Sequence, residues 1–337
     1  VLPSEGRGHR FESCRVRHAS HSPVRLCAFP RPLGIAKNAR GLAPDLAALG
    51  GRVTQGDTGR GVDGSGGGWP LLMASPWRIA VRQFDLIRAL VGRDIESRIR
   101  GTVLGKVWIV FGPLFMLAVY TLVFGLILDS RWQDRTGDTF LFPLIYFSGL
   151  IQFNFFFESV SRATTVLREN QSFITKIVFP LEVFCYSLVG SALVRMAIGL
   201  VILGAFHLPL QGLPPLAALA YPLLLLGLAL FALGGALALA ALGVFLRDLA
   251  HVMQPLSMLL LFLSPLFYPL DRVPEALRPV MLLNPLAYPL EASRNALFFG
   301  EWPNPLGVAL YLGIGWLSAV AGYALFRRLR PGFADVV

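Results

Sequence analysis

The chain has 337 residues, of which 55% are hydrophobic and only 15% charged, and its mean hydropathy is +0.61. Soluble globular proteins carry about 25% charged residues, so this composition excludes an ordinary water-soluble domain. Three cysteines make no disulfide framework, and five scattered histidines indicate no metal cluster. Several apolar runs exceed the roughly eighteen residues that mark a membrane-spanning helix. The sequence therefore predicts an all-α polytopic membrane protein.

Residues 1–72 differ from the rest of the chain, because they hold ten of the thirty basic residues and five of the twenty acidic ones. One interpretation is a disordered basic arm near anionic lipid. The other starts from the stretch RFES at residues 10–13, whose codons can be written to resemble the T-arm of a transfer RNA gene. In that case the first 72 residues are a wrongly assigned extension, and the protein begins at Met73. The predicted domains are an extension, 1–72, and a transmembrane domain, 73–337.

The segment that follows, residues 77–98, has an apolar stripe with helical spacing. The stripe consists of Trp77, Val81, Phe84, Ile87 or Arg88, Val91 and Ile95. Basic residues flank it, which favours an amphipathic helix lying in the plane of the membrane interface. The alternative is an amphipathic helix packed on the rest of the protein.

Six membrane spans are predicted after this helix. They cover residues 103–128, 139–161, 178–206, 218–246, 253–270 and 305–326. The segment between the fifth and sixth spans is too rich in proline for one helix, because each proline removes a backbone donor. We expect short re-entrant helices there, covered by protein or a water-filled cavity.

The basic residues of the membrane part indicate its orientation. With both termini in the cytoplasm, fourteen basic residues lie inside and five outside, as the positive-inside rule requires. The inner set is Arg78, Arg82, Arg88, Arg93, Arg98, Arg100, Lys106, Arg162, Arg168, Lys176, Arg247, Arg327, Arg328 and Arg330. The outer set is Arg131, Arg135, Arg272, Arg278 and Arg294.

The sequence shows no nucleotide site. The nearest approach to a phosphate loop is RGTVLGKV at residues 100–107, where Arg100 replaces the first glycine and Val107 replaces the hydroxyl residue that would hold magnesium. No nucleophile, histidine and acid form a recognisable catalytic set. The pattern favours a transport protein over an enzyme.

One charge falls well inside a predicted span, since Arg195 lies about midway along residues 178–206. Charged side chains within a membrane are costly and usually functional. Two interpretations are open. Arg195 lines a hydrophilic path, or it pairs with a carboxylate on a neighbouring helix.

Short motifs, read in order, resemble those of type-2 ABC exporter permeases of the polysaccharide-export branch. The first is RDIESRIRGTVLGKVWIVFGP at residues 93–113, and the second is FSGLIQFNFF at residues 147–156, where Phe153 replaces the usual tryptophan. The others are SFITKIVFP, FLRDLAHVMQPL, LFLSPLFYPL and LLNPLAYPLEASRNALF. Together they cover nearly all of residues 75–330, and Arg195 departs from the acidic or neutral residue expected at its position.

This resemblance implies a homodimer of the chain with two copies of a separate ABC ATPase in the inner (plasma) membrane. ATP and magnesium would bind the ATPase, so no cofactor is expected on this chain, and no nucleic-acid partner is implied. The implied substrate is a cell-surface polysaccharide (O-antigen, capsule or a teichoic-type glycan), with or without a lipid carrier. The alternatives are a type-2 ABC exporter of lipid or drug and a membrane-embedded transferase acting on lipid-linked sugar.

The resemblance also implies a short cytoplasmic coupling helix that fits a groove on the ATPase. The stretch RENQSFITKIVFPLE at residues 168–182, called here the coupling segment, matches that role through Arg168, Glu169, Ser172, Phe173, Ile174 and Lys176. The alternative is a plain connecting loop held by Lys176 at the headgroups. The amphipathic helix is expected to make a second contact, with the ATPase and with lipid, through Trp77, Arg82, Phe84, Arg93 and Asp94.

The translocation path is expected between two chains, where aromatic faces would suit the apolar C–H edges of sugar rings. The candidate residues are Phe153, Asn154, Phe155, Phe156, Phe262, Phe267 and Tyr268. Many weak contacts would let a polymer slide without being trapped. The alternative is that these rings face lipid or form an interfacial belt.

Overall fold

The computed structural model describes residues 77–99, 107–123, 141–171, 180–268, 273–275 and 278–333. The predicted extension, 1–72, lies outside these residues, as do Ser172, Phe173, Ile174 and Lys176 of the coupling segment. Within the described part the regular structure is entirely helical, which confirms the all-α fold class. The helices are α1 (Phe84–Ile99), α2 (Val107–Tyr120), α3 (Leu141–Glu169), α4 (Glu182–Gln211), α5 (Tyr221–Phe245), α6 (Leu249–Phe262), α7 (Arg278–Leu282), α8 (Ala287–Arg294) and α9 (Pro305–Leu329).

Four of these helices, α3, α4, α5 and α9, are long and apolar enough to cross a membrane. The shortest of them has 25 residues, which at 1.5 Å per residue spans about 38 Å, more than the roughly 30 Å of a hydrocarbon core. They coincide with the second, third, fourth and sixth predicted spans. The membrane-spanning character of those four segments is therefore confirmed by length and composition.

The first and fifth predicted spans contain shorter apolar helices, α2 and α6, of 14 residues each. Such a helix is about 21 Å long, less than the hydrocarbon core requires. Helix α6 begins at Leu249 and ends at Phe262, so it overlaps the predicted fifth span, 253–270, without sharing its bounds. Its end is followed closely by Pro265, which has no backbone N–H to continue the helix. Six complete spans therefore stay a prediction.

Glycines allow α5 and α9 to approach each other closely. A Cβ atom at Gly234 would lie 2.5 Å from the backbone of Ser318, and one at Gly322 would collide with the carbonyl of Gly234. Lipid is as apolar as these helices, so their association depends on close packing of small residues rather than on hydrophobic transfer from water.

The proline-rich segment after α6 is broken into the short helices α7 and α8 and a π-helical turn. Asn284 fastens this segment to the end of α6, because its Nδ2 donates to Ser264 Oγ at 2.9 Å. The buried guanidinium of Arg294 donates to the carbonyl of Pro265. These bonds join two of the sequence motifs, while the re-entrant placement in the membrane stays a prediction.

Helix α1 packs on α4 with one face and exposes part of the other. Leu90 is buried, and the side chain of Val91 lies against Gly190 of α4, where a Cβ atom would be 2.9 Å from it. Phe84, by contrast, is 62% exposed. The helix therefore packs on the rest of the protein, as the second of the two interpretations expects. Contact between its exposed Phe84 and the membrane interface stays a prediction.

A matched pair of variants tests the contact between α5 and α9. Gly234→Ala should lower stability by about 1–3 kcal/mol, because the added methyl group forces two backbones apart. Gly313→Ala on α9 should be neutral or stabilising, since nothing lies within 4 Å of a Cβ atom there. Thermal unfolding of the detergent-solubilised proteins measures the difference. Equal unfolding temperatures would contradict the close approach.

Candidate functional site

A cavity of about 540 Å³ lies between α2, α3, α4 and α6. Phe153, Asn154 and Phe155, three of the predicted path residues, line it together with Ser257 of α6. Asn154 is exposed although both of its neighbours on α3 are buried. The structure therefore places an exposed polar amide in the lining of a cavity to which four phenylalanines contribute.

The remaining predicted path residues lie elsewhere. Phe156 is buried and does not line the cavity. Phe262, the last residue of α6, stacks on Phe267 with ring centroids 5.9 Å apart, and the Tyr268 hydroxyl donates to the carbonyl of Phe262. Phe267 also contacts the ring of Tyr146 at 4.9 Å. The predicted residues thus form two groups within one chain, rather than one continuous surface.

Polar side chains of α3 continue along the wall of the cavity. Asn154, Glu158, Ser161 and Arg162 follow one another at helical spacing, so they share one face of the helix. Arg195 of α4 lines the same cavity. One side of the cavity is therefore charged, and its remaining lining is mainly apolar.

Five charged residues meet at this charged side, and we call them the charge cluster: Asp94, Arg98, Glu158, Arg162 and Arg195. Arg162 binds Asp94 through two bonds, of 2.6 and 3.0 Å. Glu158 accepts from Arg98 at 2.6 Å and from Arg195 Nε at 2.9 Å. These bonds join α1, α3 and α4 at one point.

The charge cluster resolves the two interpretations of Arg195. Its guanidinium pairs with Glu158, with Nη2 2.8 Å from Oε1, and it also lies 3.8 Å from Asp94. The predicted pairing with a carboxylate on a neighbouring helix is therefore present. The side chain lines the cavity as well, so the two interpretations are compatible.

The position of Asp94 changes its acidity. Burial alone would raise the pKa of its carboxyl group, but the hydrogen bonds and charge of Arg162 outweigh this effect, so the pKa lies below its ordinary value of 3.8. Asp94 was predicted only as a contact residue of the interface helix. Its partners lie 68 and 101 residues away in the chain, a proximity that no local pattern reveals.

The other predicted contact residues are placed as follows. Trp77, Arg82, Phe84 and Arg93 are exposed on or just before α1. Arg168 and Glu169 end α3, where Glu169 is exposed and Arg168 is half-buried. Their contacts with an ATPase stay predictions.

Neutralising Asp94 tests the charge cluster and its pH dependence. Asp94→Asn should lower stability by about 1–3 kcal/mol at neutral pH, because Arg162 and Arg195 lose a charged partner. The lowered pKa means that this contribution is complete above pH 3.8 and is lost only as the pH falls through the lower folded value. Wild type and variant should therefore differ by the same amount at pH 7 and pH 5, and converge below pH 3.8.

Thermal unfolding across this pH range measures the effect. Asp85→Asn, an exposed carboxyl on the same helix, is the control and should unfold like the wild type. A difference between wild type and Asp94→Asn that shrinks already between pH 7 and pH 5 would contradict the lowered pKa.

Comparison with known proteins shows the family of this chain. Residues 85–298 match the model of the family described as ABC-2 type transporter. The O-antigen export system permease protein RfbA of Myxococcus xanthus is 27% identical over 254 residues, which cover 75% of this chain and 95% of that protein. Two proteins of the same name from Klebsiella pneumoniae are 25% and 26% identical over the same shares. The family match spans more than half of the sequence and includes the charge cluster, and the chain therefore belongs to the ABC-2 type transporter family.

Proposed function

We propose that this chain is the membrane permease subunit of an ATP-driven exporter that moves a cell-surface polysaccharide out of the cytoplasm. The observation that carries the proposal is the similarity to three O-antigen export permeases along 95% of their length. O-antigen, capsule and teichoic-type glycan are the substrates proposed. Membership of a transport permease family supports a carrier rather than an enzyme.

The source of energy is proposed to be a separate ABC ATPase. The only phosphate-loop-like stretch of the sequence lacks both its first glycine and its hydroxyl residue. Two ATPase subunits would therefore bind the ATP and magnesium, and two copies of this chain would form the membrane part. The complex would lie in the inner (plasma) membrane with both termini of the chain in the cytoplasm, as the fourteen-to-five distribution of basic residues favours.

The surface of a single chain supports the homodimer. Among the described residues of α6 only Met253 is buried, and Gln254, Leu259 and Phe262 are all exposed. Exposed Asn154 lies on the neighbouring α3. Polar amides on membrane helices are costly against lipid, and they face protein or water instead. A second copy facing α3 and α6 would shield these amides and complete a conduit.

The conduit proposed in this way has chemistry that suits a sliding glycan. Phe153 stacks on Phe157 with parallel rings 5.9 Å apart, and both line the cavity. Aromatic faces accept the apolar faces of sugar rings, while Asn154 and Ser161 offer hydrogen bonds to hydroxyl groups. Many weak contacts of this kind would let a polymer move. The six-span arrangement, with α2 and α6 as parts of complete spans, belongs to the same proposal.

Mechanical coupling is proposed to pass through the coupling segment, which leads from the end of α3 to the start of α4. Both of these helices contribute residues to the charge cluster. A movement of the coupling segment would therefore be passed by α3 and α4 to Glu158, Arg162 and Arg195 at the cavity.

Deletion of the gene tests the function. An exporter predicts that polysaccharide accumulates inside the cell while the surface is bare, because synthesis continues without transport. Fractionation followed by glycan immunoblotting measures both pools. Loss of the polymer from both pools would instead indicate a transferase, and an unchanged surface would contradict any role in export.

A charge in the coupling segment tests the mechanism. Phe173→Asp should reduce surface polysaccharide at least about tenfold, because a charge replaces an apolar anchor in the proposed ATPase contact. ATP hydrolysis by the purified complex should continue, since the ATPase itself is unchanged. Leu213→Asp, at an 88% exposed position beyond the other end of α4, is the control and should export normally. Normal export by Phe173→Asp would show that the segment does not couple.

A further inference from the structure

The last described residues, which follow α9, pack against the ends of α5 and α9. After α9 a short 3₁₀ turn, Arg330–Gly332, leads to Phe333, which is only 1% exposed. Its ring lies 5.4 Å from Phe326 of α9 and 6.0 Å from Phe245 at the end of α5. The C-terminal turn is therefore anchored on two membrane helices.

The same turn forms an ion pair with a buried carboxylate of α4. Arg330 Nη1 donates to Glu182 Oε1 at 3.1 Å, and Glu182 is 1% exposed. Within the described residues the second oxygen, Oε2, accepts no hydrogen bond. A buried carboxylate is strongly destabilising without a partner of opposite charge, so the position of Glu182 depends on Arg330.

Glu182 has a special place in the chain, because it is the last residue of the coupling segment and the first residue of α4. Pro180 and Leu181 precede it, and their carbonyls accept the N–H groups of Val183 and Phe184 at 3.0 and 3.2 Å. Leu181 and Val183 are buried on either side. Fixing Glu182 therefore fixes the point at which the coupling segment meets the membrane helix.

We infer that residues 330–333 form a C-terminal clamp that positions the coupling segment, with Arg330 as its positioning residue; this rests on the proposed function. A displacement of the coupling segment acts on Glu182 and, through Arg330 and Phe333, on α9 and α5. The clamp is separate from the charge cluster, which joins α4 to α1 and α3. The two contacts together make α4 the element that distributes movement from the ATPase.

The test uses the complete exporter, with permease and ATPase expressed together in a strain that lacks the chromosomal gene. Arg330→Gln keeps most of the side-chain length and removes its charge, and Arg328→Gln at an exposed position near the end of α9 is the matched control. Arg330→Gln should lower surface polysaccharide about tenfold, because the buried carboxylate loses its partner while solvent at the half-exposed Arg330 softens the loss. ATP hydrolysis by the purified complex should persist, so the ratio of export to hydrolysis falls.

A double variant separates the ion pair from packing. Glu182→Gln combined with Arg330→Gln removes the unpaired charge and should recover most of the export lost in Arg330→Gln. If Arg330→Gln fails to assemble with the ATPase, the double variant decides the question. A double variant that assembles and exports supports the clamp, and one that assembles without exporting overturns it.

The inference is also overturned if Arg330→Gln exports as well as Arg328→Gln. It is overturned equally if export, hydrolysis and unfolding temperature fall together and the double variant recovers none of them, because that pattern describes a structural role alone. The parent strain provides the remaining comparison. Normal surface polysaccharide in the absence of any permease gene would refute the proposed function itself, whatever the behaviour of Arg330.

Discussion

A charged side chain can remain among apolar helices only if a group of opposite charge accompanies it. The charge cluster meets this condition with two carboxylates and three guanidinium groups drawn from α1, α3 and α4. Because each carboxylate has more than one arginine within 4 Å, the three helices share one joint rather than separate contacts. The position of α1 and the charged side of the cavity depend on this joint, and the proposed coupling route reaches the cavity through it.

Elsewhere the bundle is joined by different means. Helices α5 and α9 are held by glycines that bring backbones into contact, and the segment after α6 is held by hydrogen bonds from Asn284 and Arg294. Packing of this kind is rigid, because a displacement immediately produces a steric clash or a buried polar group without a partner. A rigid bundle joined by ion pairs at the charge cluster and between Arg330 and Glu182 is suited to transmitting a movement as a whole.

The cavity and the surface beside it expose polar and apolar side chains together. Asn154 is exposed between two buried phenylalanines, and α6 buries only Met253 within the described chain. An exporter assembled from two identical chains would explain both features, because a symmetric interface covers the same patch on each copy. The substrate path would then be a property of the assembly, to which each chain contributes an aromatic and polar half.

Several features of this protein follow from the sequence alone. Long apolar runs predict four membrane helices that the structure contains. In lipid a single segment can hydrogen-bond all of its backbone N–H and C=O groups internally only as a helix. The motifs that resemble type-2 ABC exporter permeases agree with the matched family, because they record residue types in order along the chain. Hydropathy alone does not give the ends of α6, since the apolar sequence continues past Ser264 and Pro265 while the helix ends at Phe262.

Only the tertiary structure decided which charges and rings meet. Asp94 lies 68 residues from Arg162 and Glu182 lies 148 residues from Arg330, and neither pairing has a signature in local spacing. Likewise, Phe153 lines the cavity and Phe156 does not, although both are aromatic residues of one helix. Periodicity assigns a residue to a face of its own helix, but the neighbour of that face is set by how helices pack. The sequence thus determined the elements and their membrane character, and packing determined the ion pairs that connect them.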